Sequence, residues 1–381
     1  MTTDDTASLR RDLAARMADI GSLTDPAWRA AVEAVPRDVF LGTDVYRPAG
    51  PLWEPVRRHG VGEKEWLGLA HADTTWVTQV DGTDAADASD PVAGRPTSSS
   101  TLPSLVVRML EVAGVKEGDK VLEVGTGTGY STAILCHRLG AANVTSIEYD
   151  PGLGRSAAEH LSTVGFSPTL VTGDGLQGYY EGGDYDAVVA TCAVRHIPPS
   201  WLWQVRDGGT ITGALGGWMT GSGLIRLSLG GDGAASGRFT GDEVSFMLAR
   251  PHERPPRPML IRRVGDVRAC RVDPGLFQDW TGRFVAQLAA PSAEFVTKGD
   301  DVVLVDVATG SQAWTEPEGA GKGWTVHQSG PLRLWDRVEE ALATWQAAGS
   351  PAQTAFGMTV TDEVQTVWLE APDGPGWQLP T

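Results

Sequence analysis

Hydrophobic positions along this chain follow two rhythms, separated by stretches with none. Leu9, Leu13, Met17 and Ile20 recur at helical spacing, which predicts an amphipathic helix over 6–20. A second helix is expected from "TDPAWRAAVEAV", with Asp25 at the N-cap and Pro26 in the first helical position. Residues 42–96 hold no sustained period and are rich in Gly, Pro, Asp and Trp, so a long loop-like stretch is expected there. Its most strand-like piece is "HADTTWVTQVD" (71–81). From 97 the pattern becomes regular. "TSSSTLPSLVVRMLEVAG" (97–114) reads as a helix that opens on hydroxyl residues and ends at Gly114. Strands are expected at "DKVLEV" (119–124), "NVTSIE" (143–148), "PTLVTG" (168–173), "YDAVVAT" (185–191) and "GTITGAL" (209–215). Helices fall between them at "YSTAILCHRLG" (130–140), "DPGLGRSAAEHLSTVG" (150–165) and, briefly, "PPSWLWQV" (198–205). Alternating strands and helices mean βαβ units and a mostly parallel sheet, an α/β fold.

After 216 the rhythm changes. "GLIRLSLGGDGAASGRFTGDEVSFM" (223–247) looks like antiparallel strands around a glycine-rich turn, and "RPHERPPRP" (250–258) like a connector. Beyond it lie short strands at "DVVLVDV", "TAFGMTVT" and "VQTVWLE", and a helix over 334–349. The expected organisation is one domain over 1–250 with an insertion at 42–96, then a C-terminal α+β domain over 259–381.

Composition narrows the partners. The 381 residues carry 48 acidic and 31 basic side chains, a net charge of −17, which disfavours nucleic acid and anionic membranes. A cationic peptide would be steered in, although an acidic surface also serves solubility alone. Three cysteines, Cys136, Cys192 and Cys270, show no CxxC spacing, so no disulfide framework and no metal site is expected. The polar N-terminus has no apolar core and no window reaches 18 apolar residues, which reads as cytoplasmic.

"VLEVGTGTGY" (121–130) is a strand running into a glycine turn. A dinucleotide turn needs G-x-G-x-x-G; Gly125 and Gly127 fit, but Tyr130 takes the third place and the extra glycine, Gly129, comes one early. E-x-G-x-G-x-G, with Glu123 inside the strand, instead resembles motif I of the Rossmann-like class I S-adenosylmethionine-dependent methyltransferases. Glycine amides approach the methionine part of that cofactor closely, with Thr126 and Tyr130 in the same turn and Glu123 as a negative charge near the sulfonium. Glu148 ends the next strand, where a carboxylate takes ribose hydroxyls, and Asp174 with Gly175 follows the third, where it accepts from the adenine amine. Each carboxylate alone could equally cap a loop; together they point to one crevice.

"AVPRDVF" (34–40), the hydroxyl-x-Pro element ahead of a helix, "YDAVVATCAV" and "IPPSWLWQVRDGGTITG" together resemble the protein-L-isoaspartate O-methyltransferase family over roughly 8–215. That resemblance implies methyl transfer to a peptide carboxylate. Thr101 matches the family's hydroxyl position, with Ser100 beside it as a second catalytic candidate; Ser98, Ser99, Arg195 and His196 are candidates for binding substrate. A carboxylate is already nucleophilic at neutral pH, so the protein need only orient and desolvate it, and neutral hydroxyls do so without a tight ion pair. One of the four hydroxyls is also expected to cap the following helix. Arg195 and His196 either hold a second carboxylate or pair with acidic neighbours.

The insertion and the residues beyond the sheet exceed the core expected of a repair enzyme. They resemble the isoaspartyl-methyltransferase homologues associated with ribosomal peptide natural products (lanthipeptide, graspetide or lasso peptide). That implies methylation of an aspartate in a cyclised precursor, followed by closure to succinimide (aspartimide) and, on hydrolysis, isoaspartate. The alternatives are repair of L-isoaspartyl residues in damaged proteins and a non-catalytic cofactor-binding scaffold. The C-terminal tryptophans Trp280, Trp314, Trp324, Trp335, Trp345 and Trp368 suit either peptide anchoring or a small core.

Overall fold

A computed structural model of the protein describes residues 3–256, 265–298, 301–319 and 323–380. It divides into two compact units, Met1–Cys192 with Trp203–Thr212, and Ala193–Leu202 with Gly213–Thr381.

Strands within the first unit run in the order Val205–Leu215, Tyr185–Val194, Val121–Val124, Val144–Glu148, Thr169–Thr172, the first two contributing their opening portions. Val121 lies parallel to both Val144 and Ala187. All four residues of Val121–Val124 are buried, Glu123 included, as expected of a parallel strand covered on both faces. Helices Tyr130–Leu139 and Pro151–Thr163 make crossovers between successive parallel strands, and Pro103–Ala113 precedes the first of them. Asp25 caps Pro26–Ala34 by accepting from the Ala27 amide, and Asp150 caps Pro151–Thr163 through the Gly152 and Leu153 amides. The first helix, Thr3–Asp19, buries Leu13 and Met17 but ends before Ile20, which is exposed.

The stretch 42–96 is not a loop. Leu52–Arg57, Asp44–Ala49, Trp76–Val80 and Thr83–Asp84 form a sheet in that order, and Pro96–Ser100 pairs with Trp76–Val80. Helices Arg58–Val61 and Glu63–Ala70 interrupt it. One apolar cluster gathers Leu41, Val45, Val56, Trp66 and Ala70, and another Tyr46, Val77, Val80, Ala85 and Ala88. The strands are short and Pro48 and Pro55 sit inside two of them, which hides the alternation a sequence reading looks for.

The hydroxyl run is a strand as well, and caps nothing. Helix Pro103–Ala113 starts at Leu102, whose side chain makes no cap. Its first amides are satisfied from the inserted segment: Thr75 Oγ1 accepts from Leu102 N at 3.0 Å and Asp73 Oδ1 from Ser104 N at 2.9 Å.

The second unit holds two antiparallel sheets. In one, Gly223–Leu229, Ala235–Phe239, Phe356–Val360, Gln365–Leu369 and Gly376–Gln378 are successive neighbours. In the other the order is Asp266–Ala269, Trp324–Ser329, Gln312–Pro317, Asp301–Asp306, Ala293–Lys298. Helices Trp280–Ala289 and Leu334–Ala347 complete it. The proline-rich stretch 250–258 thus lies inside this unit, since Gly237 before it pairs with Met358 beyond it. Its last two residues, and 259–264 at the start of the expected C-terminal domain, lie outside the described residues. Trp314, Trp335, Trp345 and Trp368 are core; Trp280 and Trp324 are half-buried. Among the described residues no helix is long and apolar enough to cross a membrane.

Candidate active site

The glycine turn is fixed by hydrogen bonds from three directions. Gly125 has φ +101°, and a Cβ there would meet Thr191 Oγ1 at 2.7 Å. That hydroxyl donates to the carbonyls of Val124 (3.1 Å) and Gly125 (2.5 Å). Thr126 and Ser146 share a hydroxyl hydrogen bond of 2.6 Å. Gly127 N donates to Glu148 Oε2 at 2.8 Å, while Asp150 N donates to Glu148 Oε1 at 2.9 Å. Both oxygens of Glu148 are held by backbone, and each keeps a free lone pair for a hydroxyl. Gly129, at φ +91°, leaves room for Phe40 and Ala157, either of which a Cβ would approach to 3.4 Å.

Tyr130 is buried and packs edge-on against Phe40 with ring centroids 5.9 Å apart. Burial pushes its phenol up to about 12, and the Arg37 guanidinium stands 5.8 Å from its ring. A tyrosine where a dinucleotide turn would place glycine therefore serves packing.

Glu123 meets protein hydroxyls through one oxygen, while its buried Oε1 has no hydrogen-bond partner among the described residues. Its Oε2 accepts from Thr132 at 2.5 Å and from Ser146 at 2.7 Å, with no exposed surface. Burial raises its pKa against the pull of the Ser131, Thr132 and Ser146 hydroxyls. Asp174 caps the turn Gly175–Gln177 through Oδ1, which accepts from Leu176 N at 2.9 Å. A Cβ on Gly175 would lie 2.4 Å from Val124 Cγ1, so only glycine fits beside the strand end. Glu148 and Asp174 follow adjacent parallel strands at their carboxyl ends, the crevice side of an open α/β sheet. Tyr149, directly after Glu148 and 51% exposed, was not expected from the sequence; the signal was an aromatic next to a strand-end carboxylate.

The hydroxyl strand divides into two pairs. Ser98 and Ser100 are buried; Ser99 and Thr101 are half-buried. Thr78 Oγ1 donates to Ser98 Oγ at 3.0 Å, and Arg37 Nε donates to Ser100 Oγ at 3.3 Å. Among the described residues, the hydroxyls of Ser99 and Thr101 have no hydrogen-bond partner. This division follows the alternation of side chains along an extended segment, whose pairing with Trp76–Val80 slips between Val77 and Gln79 and again between Gln79 and Val80. The Ser99 carbonyl lies 3.7 Å from where a Gly127 Cβ would be, so the strand runs beside the glycine turn.

Arg37 holds this arrangement and was not singled out by sequence reasoning. Fully buried, it donates to the carbonyls of Ala70, Ala72, Thr74, Ser100 and Thr101. Burial lowers its pKa to about 10, so it stays cationic at neutral pH. Its sign in the sequence was a lone cation in "AVPRDVF" between apolar residues. The neighbouring Asp38 Oδ1 meets His71 Nε2 at 3.2 Å, pinning the same inserted segment.

Arg195 and His196 belong to the second unit. The Arg195 guanidinium lies 3.7 Å from the Trp218 ring and donates to Pro291 O at 2.8 Å. His196 packs on His252, ring centroids 4.6 Å apart. Neither pairs with an acidic residue among those described, contrary to one of the two sequence readings.

Comparison with known proteins bears on the first unit above all. The family model "Protein-L-isoaspartate(D-aspartate) O-methyltransferase (PCMT)" matches residues 78–216. A protein-L-isoaspartate O-methyltransferase of Christiangramia forsetii is 34% identical over 175 residues, covering 44% of this chain and 80% of the relative. One from Ignicoccus hospitalis is 39% identical over 109 residues, covering 28% of this chain and 52% of its own length. The chain spans about half the length of the first curated relatives it matches. A solved structure titled protein-L-isoaspartate O-methyltransferase shares the fold with a TM-score of 0.55 at 18% identity, covering 95% of this chain and 100% of its own. Additional sheet-rich residues after the methyltransferase core are therefore compatible with that fold, contrary to the expectation of a core-only enzyme. The chain has the class I S-adenosylmethionine-dependent methyltransferase fold and belongs to the protein-L-isoaspartate O-methyltransferase family.

Proposed function

We propose that the protein is an S-adenosylmethionine-dependent O-methyltransferase acting on a carboxylate of an isoaspartyl peptide. The carrying observation is the pair of unpartnered hydroxyls, Ser99 on a strand beside the glycine turn and Thr101 just past that strand's end, with the turn's Gly127 amide held by Glu148.

The residues present fit the cofactor. Glu148 keeps acceptor capacity for ribose hydroxyls, Asp174 keeps its second oxygen for an adenine amine, and Tyr149 offers an exposed ring at the same edge. Gly125, Thr126, Gly127, Gly129 and Gly175 shape the turn; Glu123 and Tyr130 act by holding that shape rather than by touching the ligand. When bound, S-adenosylmethionine supplies an electrophilic methyl group on a sulfonium. The chain's own part is to present the acceptor carboxylate with Thr101 and Ser99 as neutral donors, Ser98 and Ser100 being engaged already. No general base is required, because the acceptor is ionised at neutral pH.

A finer reading is that the acceptor is an aspartate in a cyclised ribosomal precursor, with the ester closing to succinimide. It is favoured by the inserted sheet at 44–100 and the second unit, but the solved relative's coverage of 95% of this chain makes size a weak sign, and repair of L-isoaspartyl residues fits at least as well.

The test is to incubate the purified protein and S-adenosylmethionine with a linear isoaspartyl hexapeptide, its aspartyl counterpart and a cyclised precursor peptide, and to read the masses. Gain of one methyl group on the isoaspartyl peptide is expected. Methylation of the cyclised aspartyl peptide alone, with loss of one water on closure, would move the reading to the finer alternative. Modification of none of the three would refute the proposal.

A further inference from the structure

Arg195 is a cation without an anion. Among the described residues no carboxylate pairs with Arg195, His196 or His252, although the chain carries 48 acidic side chains. A half-buried guanidinium ordinarily has a counter-charge, because burial penalises the charged form. Here the surroundings instead orient it. Its plane is held 3.7 Å from the Trp218 ring, Trp218 Nε1 is fixed to His252 O at 3.0 Å, and one of its N–H groups is anchored on Pro291 O. Its own backbone amide donates to His252 Nδ1 at 3.1 Å, so the proton of neutral His252 sits on Nε2, where no described residue accepts it. The remaining guanidinium N–H groups likewise have no acceptor among the described residues.

We propose that Arg195, stacked on Trp218 and flanked by His252 and His196, is a recognition site for a peptide carboxylate distinct from the one that is methylated. The planar fork of arginine matches a carboxylate through two parallel hydrogen bonds, and stacking on an aromatic ring fixes that fork in advance. Burial lowers the pKa of both histidines, that of His252 to about 4, and Arg195 disfavours their protonation further. At neutral pH the site therefore carries one positive charge, which suits a monoanionic carboxylate better than a dianionic phosphate. A second acidic side chain on the peptide is the ligand. In the sequence the two candidates Arg195 and His196 stood alone; the structure adds Trp218 and His252.

The inference rests on the reading of the protein as one that handles peptide carboxylates, and the experiment keeps the two apart. Two hexapeptides are compared, each with one isoaspartate and one further position that is aspartate in one and asparagine in the other. Calorimetric titration without cofactor reads binding; mass spectrometry with S-adenosylmethionine reads methylation. The aspartate peptide should bind about 10-fold more tightly than the asparagine peptide, the scale of one charge-assisted hydrogen-bonded pair. Arg195→Gln should erase that ratio, and Arg195→Lys, which keeps the charge without the fork, should restore part of it. Equal binding of both peptides by the unaltered protein, with the further residue placed at either side of the isoaspartate, overturns the site whatever the variants do. Selective binding without methylation leaves the site standing and removes the proposed activity; methylation of both peptides without selectivity does the reverse.

Discussion

The guanidinium of Arg37 grips Ser100 twice, at its hydroxyl (3.3 Å) and at its carbonyl (3.1 Å), across 63 positions of sequence. The same side chain reaches three carbonyls of the segment before Trp76, so one buried cation ties that segment to the end of the hydroxyl strand. Removing it takes a donor from five carbonyl oxygens, of which Ala72 O keeps the Thr74 amide. Arg37→Ala is expected to cost at least about 3 kcal/mol of stability, because buried acceptors lose their donors. Urea unfolding measures this, and a loss under about 1 kcal/mol would contradict the assignment.

The four hydroxyls should separate by experiment into two classes. Thr101→Ala and Ser99→Ala are expected to lower kcat by roughly 10- to 100-fold, the cost of a misplaced reactant, with unfolding and cofactor affinity unchanged. Ser100→Ala leaves Arg37 Nε without its acceptor, so it is expected to lose about 1 kcal/mol of stability. If all four alanine variants behave alike in kcat and unfolding, the division is mistaken.

Gly175 and Val124 form a testable pair. Gly175→Ala drives a Cβ to 2.4 Å from Val124 Cγ1 and is expected to destabilise by about 1–3 kcal/mol, with weaker cofactor binding. Adding Val124→Ala removes the clashing methyl and should recover part of that loss. A double-mutant cycle reads the coupling, and strict additivity would dissolve the pair.

Acid should weaken the second unit through His252. Its folded pKa is lowered to about 4, by burial first and then by His196 and Arg195. An unfolded histidine titrates near 6.5. Below that value the unfolded chain takes up a proton that the folded chain refuses until about pH 4, so this contribution to stability is whole above the unfolded pKa and shrinks as pH falls through the window. The loss is expected on the order of 2 kcal/mol, and His252→Asn, which keeps an acceptor for the Arg195 amide, should flatten the pH dependence in that range. Chemical denaturation of both proteins at neutral pH and near pH 4.5 measures it; parallel curves would count against it.

Much of the first unit was legible from the chain because its signals are local. Strand Val121–Val124 and the caps at Asp25 and Asp150 each announce themselves within a few residues, as does helix Leu334–Ala347 of the second unit. What stayed hidden depends on distant partners. The "SSST" run has good cap chemistry, yet Asp73 and Thr75 supply the helix's needs and release the run to pair with Trp76–Val80. Arg37 carries no local sign of the segments it joins. Likewise, Glu123 looks in sequence like a charge beside a cofactor, and the hydroxyls of Thr132 and Ser146 that meet its Oε2 carry no local sign of doing so.

Extended pairing gives the hydroxyl run a parity. Four adjacent hydroxyls look interchangeable as letters, but alternation assigns the even-numbered serines, Ser98 and Ser100, to the protein's own wiring and leaves the odd-numbered Ser99 and Thr101 for a visitor. Substituting one hydroxyl for another along the run changes little. Excising Thr78, the extra residue opposite Ser98 and Ser99, would even out the pairing and take from Ser98 its hydroxyl partner, while leaving Ser99 and Thr101 as they are. The choice of which hydroxyls meet an acceptor is thus written in the alternation of an extended backbone rather than in the residue types.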